Sequence, residues 1–310
     1  MTGWLFALGS AVLYGVSDFV GGLASRRAHF VLVALLGQVA GVGVAAGVSL
    51  LVAAPSLDIG DLGWGALSGL GTAAGMVFLF RGLSHGSMSV VVPTSALTGM
   101  SLPVLAGVVL EDQQPTALAW LGIAVAMPAL WLVSDSRSPA GTAGAAGMSA
   151  GLIAGLGIAV QYLSLAQASA GSGMWPVTAG RVSAVCVLVP TMLVATRRGR
   201  TPASRQQKMQ PASRLQKIQL ASRLRGTPPA FGMPPTSLSF AALSGATAAA
   251  ALAAYLLATH HEITAIAVVL SSLYPVIPVL LGITVLHEKL TPRQTVGLLA
   301  AAPAAVLLAT

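Results

Sequence analysis

Apolar residues follow one another along this chain in stretches of about 20, separated by short segments rich in proline, glycine and charge. A continuous apolar run of about 20 residues is long enough to cross the roughly 30 Å hydrocarbon layer as a helix. Membrane β-strands would instead alternate apolar and polar positions. The pattern therefore predicts ten membrane-spanning helices, at residues 3–24, 31–54, 62–83, 87–110, 116–134, 148–169, 174–195, 237–258, 263–286 and 293–309.

The composition agrees with this pattern. Of the 310 residues, 55% are hydrophobic and 8% are charged, and the mean hydropathy is +0.83. A soluble domain usually carries about 25% charged residues. We therefore predict an all-α polytopic membrane protein. The single cysteine, Cys186, excludes an intrachain disulfide.

The two groups of five predicted helices resemble each other. LPVLAGVVL at 102–110 resembles IPVLLGITVL at 277–286, and in both cases a glycine follows the proline after 19 residues. GQVAGVGV at 37–44 and GRVSAVCV at 180–187 share one glycine and three valines. Because five is an odd number, the second copy of a duplicated five-helix unit must enter the membrane from the opposite side. The sequence therefore predicts two inverted five-helix repeats, a plan that recurs in secondary transporters.

The first repeat occupies residues 1–134 and the second 148–310, with a small-residue linker at 135–147. The second repeat carries an insert at 196–236 that contains nine basic residues and no acidic one. We predict a cytoplasmic loop without regular structure there. The alternative is a short stretch on anionic lipid, toward which each basic residue contributes roughly 1 kcal/mol. No aromatic residues are interleaved for base stacking, which argues against nucleic acid as a partner.

Basic and acidic residues segregate to opposite sides of the predicted membrane. Fifteen of the sixteen Lys and Arg residues fall around the loops that follow helices 1, 3, 5, 7 and 9. Lys and Arg accumulate on the cytoplasmic side of membrane proteins. We therefore predict a protein of the cell membrane with its basic loops in the cytoplasm and both termini outside. The opposite loops hold no basic residue and carry Asp58, Asp61, Glu111, Asp112 and Glu262.

Asp18, within LYGVSDFVGG, is the only charged residue between residues 3 and 24. It lies about eight residues before the basic end of its helix, or roughly 12 Å at 1.5 Å per residue, which a short carboxylate side chain cannot bridge. It must therefore face the bundle interior, stay protonated or pair with a cation. Such a group suits proton coupling or cation binding, and a structural polar contact is the alternative.

Further polar residues lie within the predicted spans. Arg181 is seven residues into the seventh span and aligns with Gln38 of the first repeat. It could contact an anionic substrate group or Asp18, or it could be an interfacial anchor whose long side chain reaches the headgroups. Together these residues predict either the lining of a central solute site or hydrogen bonds that hold helices together. They are Tyr14, Ser17, Gln38, Gln161, Tyr162 and Arg181.

Prolines interrupt the fourth and ninth predicted spans. Proline removes a helix hydrogen bond and kinks the helix. Hinges are therefore predicted at these positions, although such kinks are also common in membrane helices: Pro93, Pro103, Pro275 and Pro278. A carboxylate after a helix C-terminus opposes the helix dipole, so we expect structural turns around Glu111 and Glu288.

The sequence contains no enzymatic motif. THHEIT at 259–264 lacks the HExxH spacing of a zinc site, and the chain has no G-x-S-x-G, no Walker A and no dinucleotide fingerprint. We therefore predict no catalysis, no cofactor and no metal. The missing Walker A also argues against an ATP-driven pump formed by this chain alone.

Two stretches resemble a known family of membrane proteins. LYGVSDFVGG lies in the first span, and SLYPVIPVLLGITVLHEKLTPRQTVGLLAA covers most of the last two. In the second stretch Pro275, Glu288 and Gly297 match a proline, a GE-basic-L-T turn and a glycine, with His287 in place of the usual glycine. In these features the chain resembles the EamA family of the drug/metabolite transporter superfamily.

The resemblance implies a secondary transporter that exports a small metabolite, amino acid or drug-like solute by alternating access. Arg181 stands where many members carry arginine, whereas Gln38 and the turn at Glu111 depart from the family pattern. We expect Asp18 to couple transport to protons. Two alternatives remain open, a flippase for lipid or polyprenyl carriers and a non-transporting scaffold that acts through the basic insert. Family members are often placed with both termini in the cytoplasm, opposite to the prediction from charge.

Overall fold

The computed structural model describes residues 3–25, 27–84, 88–110, 114–133, 142–198, 233–286 and 291–309. In these residues all regular structure is helical. A 3-10 turn at Ala170–Ser172 precedes the seventh helix. The helices are α1 (Gly3–Ser25), α2 (Phe30–Leu51), α3 (Ile59–Ser84), α4 (Met88–Leu110), α5 (Ala117–Val133), α6 (Thr142–Ala166), α7 (Trp175–Arg198), α8 (Pro235–Thr259), α9 (Thr264–Ser271), α10 (Val276–Leu286) and α11 (Pro292–Ala309).

The all-helical, membrane-like architecture predicted from the sequence is confirmed. Within the described ranges, six helices are long and apolar enough to cross a membrane, namely α1, α2, α3, α6, α7 and α8. Shorter apolar segments lie at Thr94–Val109, Ala117–Leu132 and Thr264–Pro278. Large apolar side chains such as Leu51 and Leu299 remain exposed on the outside of the bundle. An apolar surface of this extent is expected where a protein faces lipid.

The ninth predicted helix, over 263–286, is wrong as a single helix. Residues 272–275 form a turn that separates α9 from α10. Pro275 has no N–H to donate, and the N–H groups of Leu273 and Tyr274 donate three residues back, to Leu270 and Ser271. The tighter spacing ends α9 before the proline. A second difference is that α6 begins at Thr142, so part of the predicted linker is helical.

Helices from the two halves of the chain pack against each other. The most extensive contacts join α1 to α8, α3 to α6 and α7, α4 to α6, α5 to α11, and α2 to α8 and α7. The main apolar core therefore draws side chains from both halves, including Met100, Leu130, Tyr162, Leu256 and Leu270. Residues distant in sequence are thereby brought together in the middle of the bundle.

Several loops meet at one end of the bundle. The Ser56 N–H donates to the Gly171 carbonyl at 3.1 Å, and a ring nitrogen of His260 lies 3.2 Å from the Ala168 carbonyl oxygen. The N-terminus of α1 reaches the same end, since a Cβ on Gly3 would lie 2.8 Å from a Glu262 carboxylate oxygen. We name this the acidic end, and it carries Asp58, Asp61 and Glu262.

Some predicted features lie outside the described residues. These are Glu111, Glu288, most of the linker at 135–147 and most of the basic insert at 196–236. The helix α4 passes through Pro93 and Pro103 from Met88 to Leu110 without a break.

Candidate functional site

A hydrogen-bonded group of side chains joins α1, α3 and α6. The side-chain amide of Gln161 donates to the Tyr14 hydroxyl at 2.6 Å, and its carbonyl oxygen accepts from the Thr72 hydroxyl at 2.6 Å. The Ser68 hydroxyl donates to the Gln161 backbone carbonyl at 2.9 Å. The two predicted residues, Tyr14 and Gln161, are therefore brought together. Ser68 and Thr72 were missed by the sequence prediction.

All four tyrosines of the chain gather around this group. The Tyr14 ring lies edge-on to Tyr162, with centroids 6.2 Å apart, and 6.1 Å from Tyr274. Tyr162 and Tyr255 are 4.5 Å apart, and the Tyr255 hydroxyl donates to the Tyr162 carbonyl at 3.1 Å. These rings come from α1, α6, α8 and the turn at 272–275. The sequence did contain a signal for Tyr255 and Tyr274: the chain has only four tyrosines, and all four lie within predicted spans.

Arg181 is buried at the contact of α2, α7 and α8, with 1% of its surface exposed. One terminal nitrogen donates to the Gln38 side-chain oxygen at 3.1 Å, and the other donates to the Ala248 carbonyl at 2.5 Å. Its Nε has no hydrogen-bond partner within the described part of the chain. This burial excludes the interfacial anchor considered from the sequence. Gln38 and Arg181, which align between the two repeats predicted from the sequence, contact each other directly.

Asp18 is half-buried on α1, one helical turn after Tyr14. Its carboxylate makes neither a hydrogen bond nor an ion pair with the residues that the structure describes, so the suggested pairing with Arg181 is absent from this conformation. The side chain lies within electrostatic range of Tyr14 and Tyr274. Its neighbour Ser17 is fixed, because the Ser17 hydroxyl donates to the Ser244 carbonyl at 2.8 Å.

The break between α9 and α10 packs against α1 beside these residues. A Cβ on Gly15 would lie 2.7 Å from the Tyr274 carbonyl oxygen, so the two backbones approach too closely for a side chain. Of the predicted hinge residues, Pro275 closes the break and Pro278 lies in the first turn of α10. Pro103 is buried within α4 and Gly297 within α11.

The arrangement combines groups with different chemical capacities. Asp18 can bind and release a proton or a cation, because no group in the described ranges forms a hydrogen bond or an ion pair with its carboxylate. Arg181 keeps a fixed charge, held by neutral acceptors from two helices. Within the described ranges no three His, Cys, Asp or Glu side chains lie close enough to hold a metal ion.

Comparisons with known proteins bear on the fold. No protein-family model and no curated protein matches this chain. A solved structure described only as "Crystal structure of protein" is similar, with a TM-score of 0.66 and 14% sequence identity. The similarity covers 99% of this chain and 96% of that chain. At this identity the likeness shows a shared fold alone.

Proposed function

We propose that this chain is a secondary active transporter of the EamA type. It would export a small metabolite, amino acid or drug-like solute by alternating access, with Asp18 as the proton-coupling carboxylate. The observation that carries the proposal is Asp18 itself, which has no partner among the residues that the structure describes although it lies at membrane depth beside the contacts that join α1 to α6. An unpaired carboxylate in a membrane-spanning segment is costly and marks a functional site by default.

The packing supports a duplicated architecture. If α1, α2 and α3 correspond to α6, α7 and α8, the most extensive contacts have counterparts. The contact of α1 with α8 corresponds to that of α6 with α3, and the contact of α2 with α8 corresponds to that of α7 with α3. The contact of α4 with α6 likewise corresponds to that of the segment α9–α10 with α1, while α5 and α11 pack on each other. This correspondence supports ten spans in two inverted repeats, with α9 and α10 together forming the ninth span.

Two glycine crossings support the same duplication. A Cβ on Gly245 of α8 would overlap the Gly37 carbonyl oxygen, and a Cβ on Gly69 of α3 would overlap the Gly180 carbonyl oxygen. Gly37 and Gly180 begin the two stretches that align between the repeats. In the proposed duplication, the second helix of each repeat would cross the third helix of the other repeat at a pair of glycines.

In the proposed mechanism the protonation of Asp18 is linked to movement of the two repeats. A neutral carboxyl group can be moved through an apolar environment at far lower cost than an ionised one. Tyr14, Gln161 and Tyr162 would contact the solute, and the broken helix α9–α10 would be a hinge. Arg181 and Gln38 would keep the contact between α2 and α7 in register.

The proposed location is the cell membrane, with the basic insert in the cytoplasm and both termini outside. The proposed partners are the solute and, through the basic insert at 196–236, anionic lipid.

Proton movement in proteoliposomes tests the proposal. We would add amino acids, nucleosides, sugars and cationic drugs in turn to the wild-type protein, Asp18→Asn and Asp58→Asn. The last variant is a matched control, because Asp58 is an exposed carboxylate at the acidic end. We expect one solute class to drive proton flux in the wild type and Asp58→Asn but not in Asp18→Asn. Lipid scrambling without solute-driven flux would instead support the flippase.

A further inference from the structure

Asp61 makes a buried contact with the opposite half of the chain. It lies in the first turn of α3 and is 7% exposed. One carboxylate oxygen accepts from the Ser169 N–H at 3.1 Å. The other accepts from the Ser169 hydroxyl at 2.5 Å and from the Ser172 hydroxyl at 2.6 Å. Both serines belong to the connection between α6 and α7, so one carboxylate ties the start of α3 to the α6–α7 connection.

Backbone contacts strengthen the same link. The Asp58 N–H donates to the Ser172 hydroxyl oxygen at 3.0 Å, and the Ser56 N–H donates to the Gly171 carbonyl at 3.1 Å. The glycines of the segment at 171–173 let its backbone lie close to residues 53–56. Gly173 has a positive φ of 54°, and a Cβ there would lie 2.9 Å from the Ala53 carbonyl oxygen. The connections from the two halves are therefore joined at several points.

The role of Asp61 differs from that of an ordinary helix-start carboxylate. An acidic residue in the first turn is favoured by the helix dipole and commonly accepts from its own helix. Here Asp58 takes that local role, since its carboxylate accepts from the Gly60 N–H at 2.7 Å. Asp61, three residues later, directs both oxygens across to the other half. Such charge-assisted hydrogen bonds are stronger than neutral ones. The link is therefore stable as long as water does not reach the Asp61 carboxylate.

We propose that these contacts form a latch that closes the acidic end in the conformation described here, and that the latch must open before Tyr14 and Asp18 meet water from that end. This inference rests on the proposed transport function, because alternating access requires the halves to separate at one end while they stay joined at the other. Opening is reversible, since water can replace each serine donor at Asp61. The latch consists of Ser56, Asp58, Asp61, Ser169, Gly171 and Ser172.

Thiol accessibility tests closure without any need for a known solute. Ser10 lies on α1 one turn before Tyr14, toward the acidic end, and it is fully buried. A Ser10→Cys reporter in a Cys186→Ala background would be exposed to a membrane-impermeant maleimide in right-side-out and inverted vesicles. A Leu57→Cys variant, exposed on the α2–α3 connection, identifies the face on which the acidic end lies.

We expect slow labelling of Ser10→Cys from the acidic end, and at least tenfold faster labelling once Asp61→Asn is added. Asp58→Asn is the matched control and should leave the rate unchanged, because Asp58 joins the latch through its backbone alone. Equal rates in all three proteins would overturn the latch. If Asp61→Asn does not fold, Ser169→Ala with Ser172→Ala removes both hydroxyl donors and must give the same acceleration.

A disulfide tests whether the latch has to open. A Cβ on Gly171 would lie 3.4 Å from the Ser56 Cβ, close to the roughly 3.5–4.5 Å that separates Cβ atoms in disulfides. Oxidised Ser56→Cys/Gly171→Cys should lose solute-driven proton flux and regain it on reduction, while each single variant stays active. Flux at the wild-type rate in the cross-linked protein would overturn the proposal. If the wild type transports no solute, the proposed function is wrong. The labelling rates of Ser10→Cys still show whether the latch closes the acidic end.

Discussion

Asp18 and Arg181 are charged side chains within the helix bundle, and they differ in what they contact. Arg181 donates to Gln38 and to Ala248, whereas Asp18 has no partner within the described part of the chain. Replacing Asp18 by the isosteric asparagine removes no hydrogen bond to any residue that the structure describes, and it relieves the cost of a desolvated charge. The two residues therefore affect stability in different ways.

We expect Asp18→Asn to leave the melting temperature of the detergent-solubilised protein unchanged or to raise it, while solute-driven proton flux is lost. Thermal unfolding monitored by circular dichroism measures the first effect. A fall of several degrees would show that the carboxylate holds helices together, which is the structural alternative considered from the sequence.

Gln38→Leu should destabilise the protein by about 1–3 kcal/mol, because it leaves one terminal nitrogen of the buried Arg181 guanidinium without an acceptor. Chemical unfolding in mixed micelles measures the loss. Gln38→Glu keeps an acceptor at the same position and should retain the wild-type stability. Equal stability of Gln38→Leu and the wild type would show that Arg181 finds another acceptor.

The predictable residues of the site were those that are unusual in an apolar helix. Asp18, Gln161 and Arg181 were identified because their side chains are costly to bury unpaired. Ser68 and Thr72 gave no such signal, since a hydroxyl in a helix can satisfy itself on the preceding turn. The Thr72 hydroxyl indeed also donates to the Ser68 carbonyl at 3.0 Å. Only the packing of α3 on α6 gives these hydroxyls their second role.

At the scale of helices, close crossings depend on single glycines. We expect Gly245→Ala to destabilise the protein by roughly 1–3 kcal/mol or more, because the new Cβ would overlap the Gly37 carbonyl oxygen and separate α8 from α2. Thermal unfolding monitored by circular dichroism measures this effect. Gly47→Ala on α2 is the matched control, because nothing lies within 4 Å of its Cβ position. A melting temperature of Gly245→Ala equal to that of Gly47→Ala would contradict the crossing.

The helix positions could be predicted because apolar runs of about 20 residues define them. The break in the ninth span could not, although Pro275 was identified as a hinge. Proline alone does not end a helix in this chain, since α5, α7 and α11 continue through Pro128, Pro190 and Pro303. The break depends on tight hydrogen bonds before Pro275 and on contact with Gly15 of α1, which involves residues far apart in sequence.

For the whole molecule, the charge pattern of the sequence corresponds to a grouping in space. Asp58, Asp61 and Glu262 lie in or directly beside connections that touch one another, although Glu262 is far from the other two in sequence. Arg27 lies in the turn between α1 and α2, at the opposite end of α1 from Gly3. Within the described ranges, these three acidic residues and Arg27 therefore lie at opposite ends of the bundle.

The orientation in the membrane that the charge pattern predicts can be measured directly. In a Cys186→Ala background, we expect Leu57→Cys at the acidic end to react with an impermeant maleimide on intact cells. Ala28→Cys, beside Arg27, should react only after permeabilisation, because basic residues are retained on the cytoplasmic side. The reverse result would place both termini in the cytoplasm, as in many members of the EamA family. It would also mean that the Asp61 latch closes the cytoplasmic end, so the same labelling decides which compartment the described conformation is closed against.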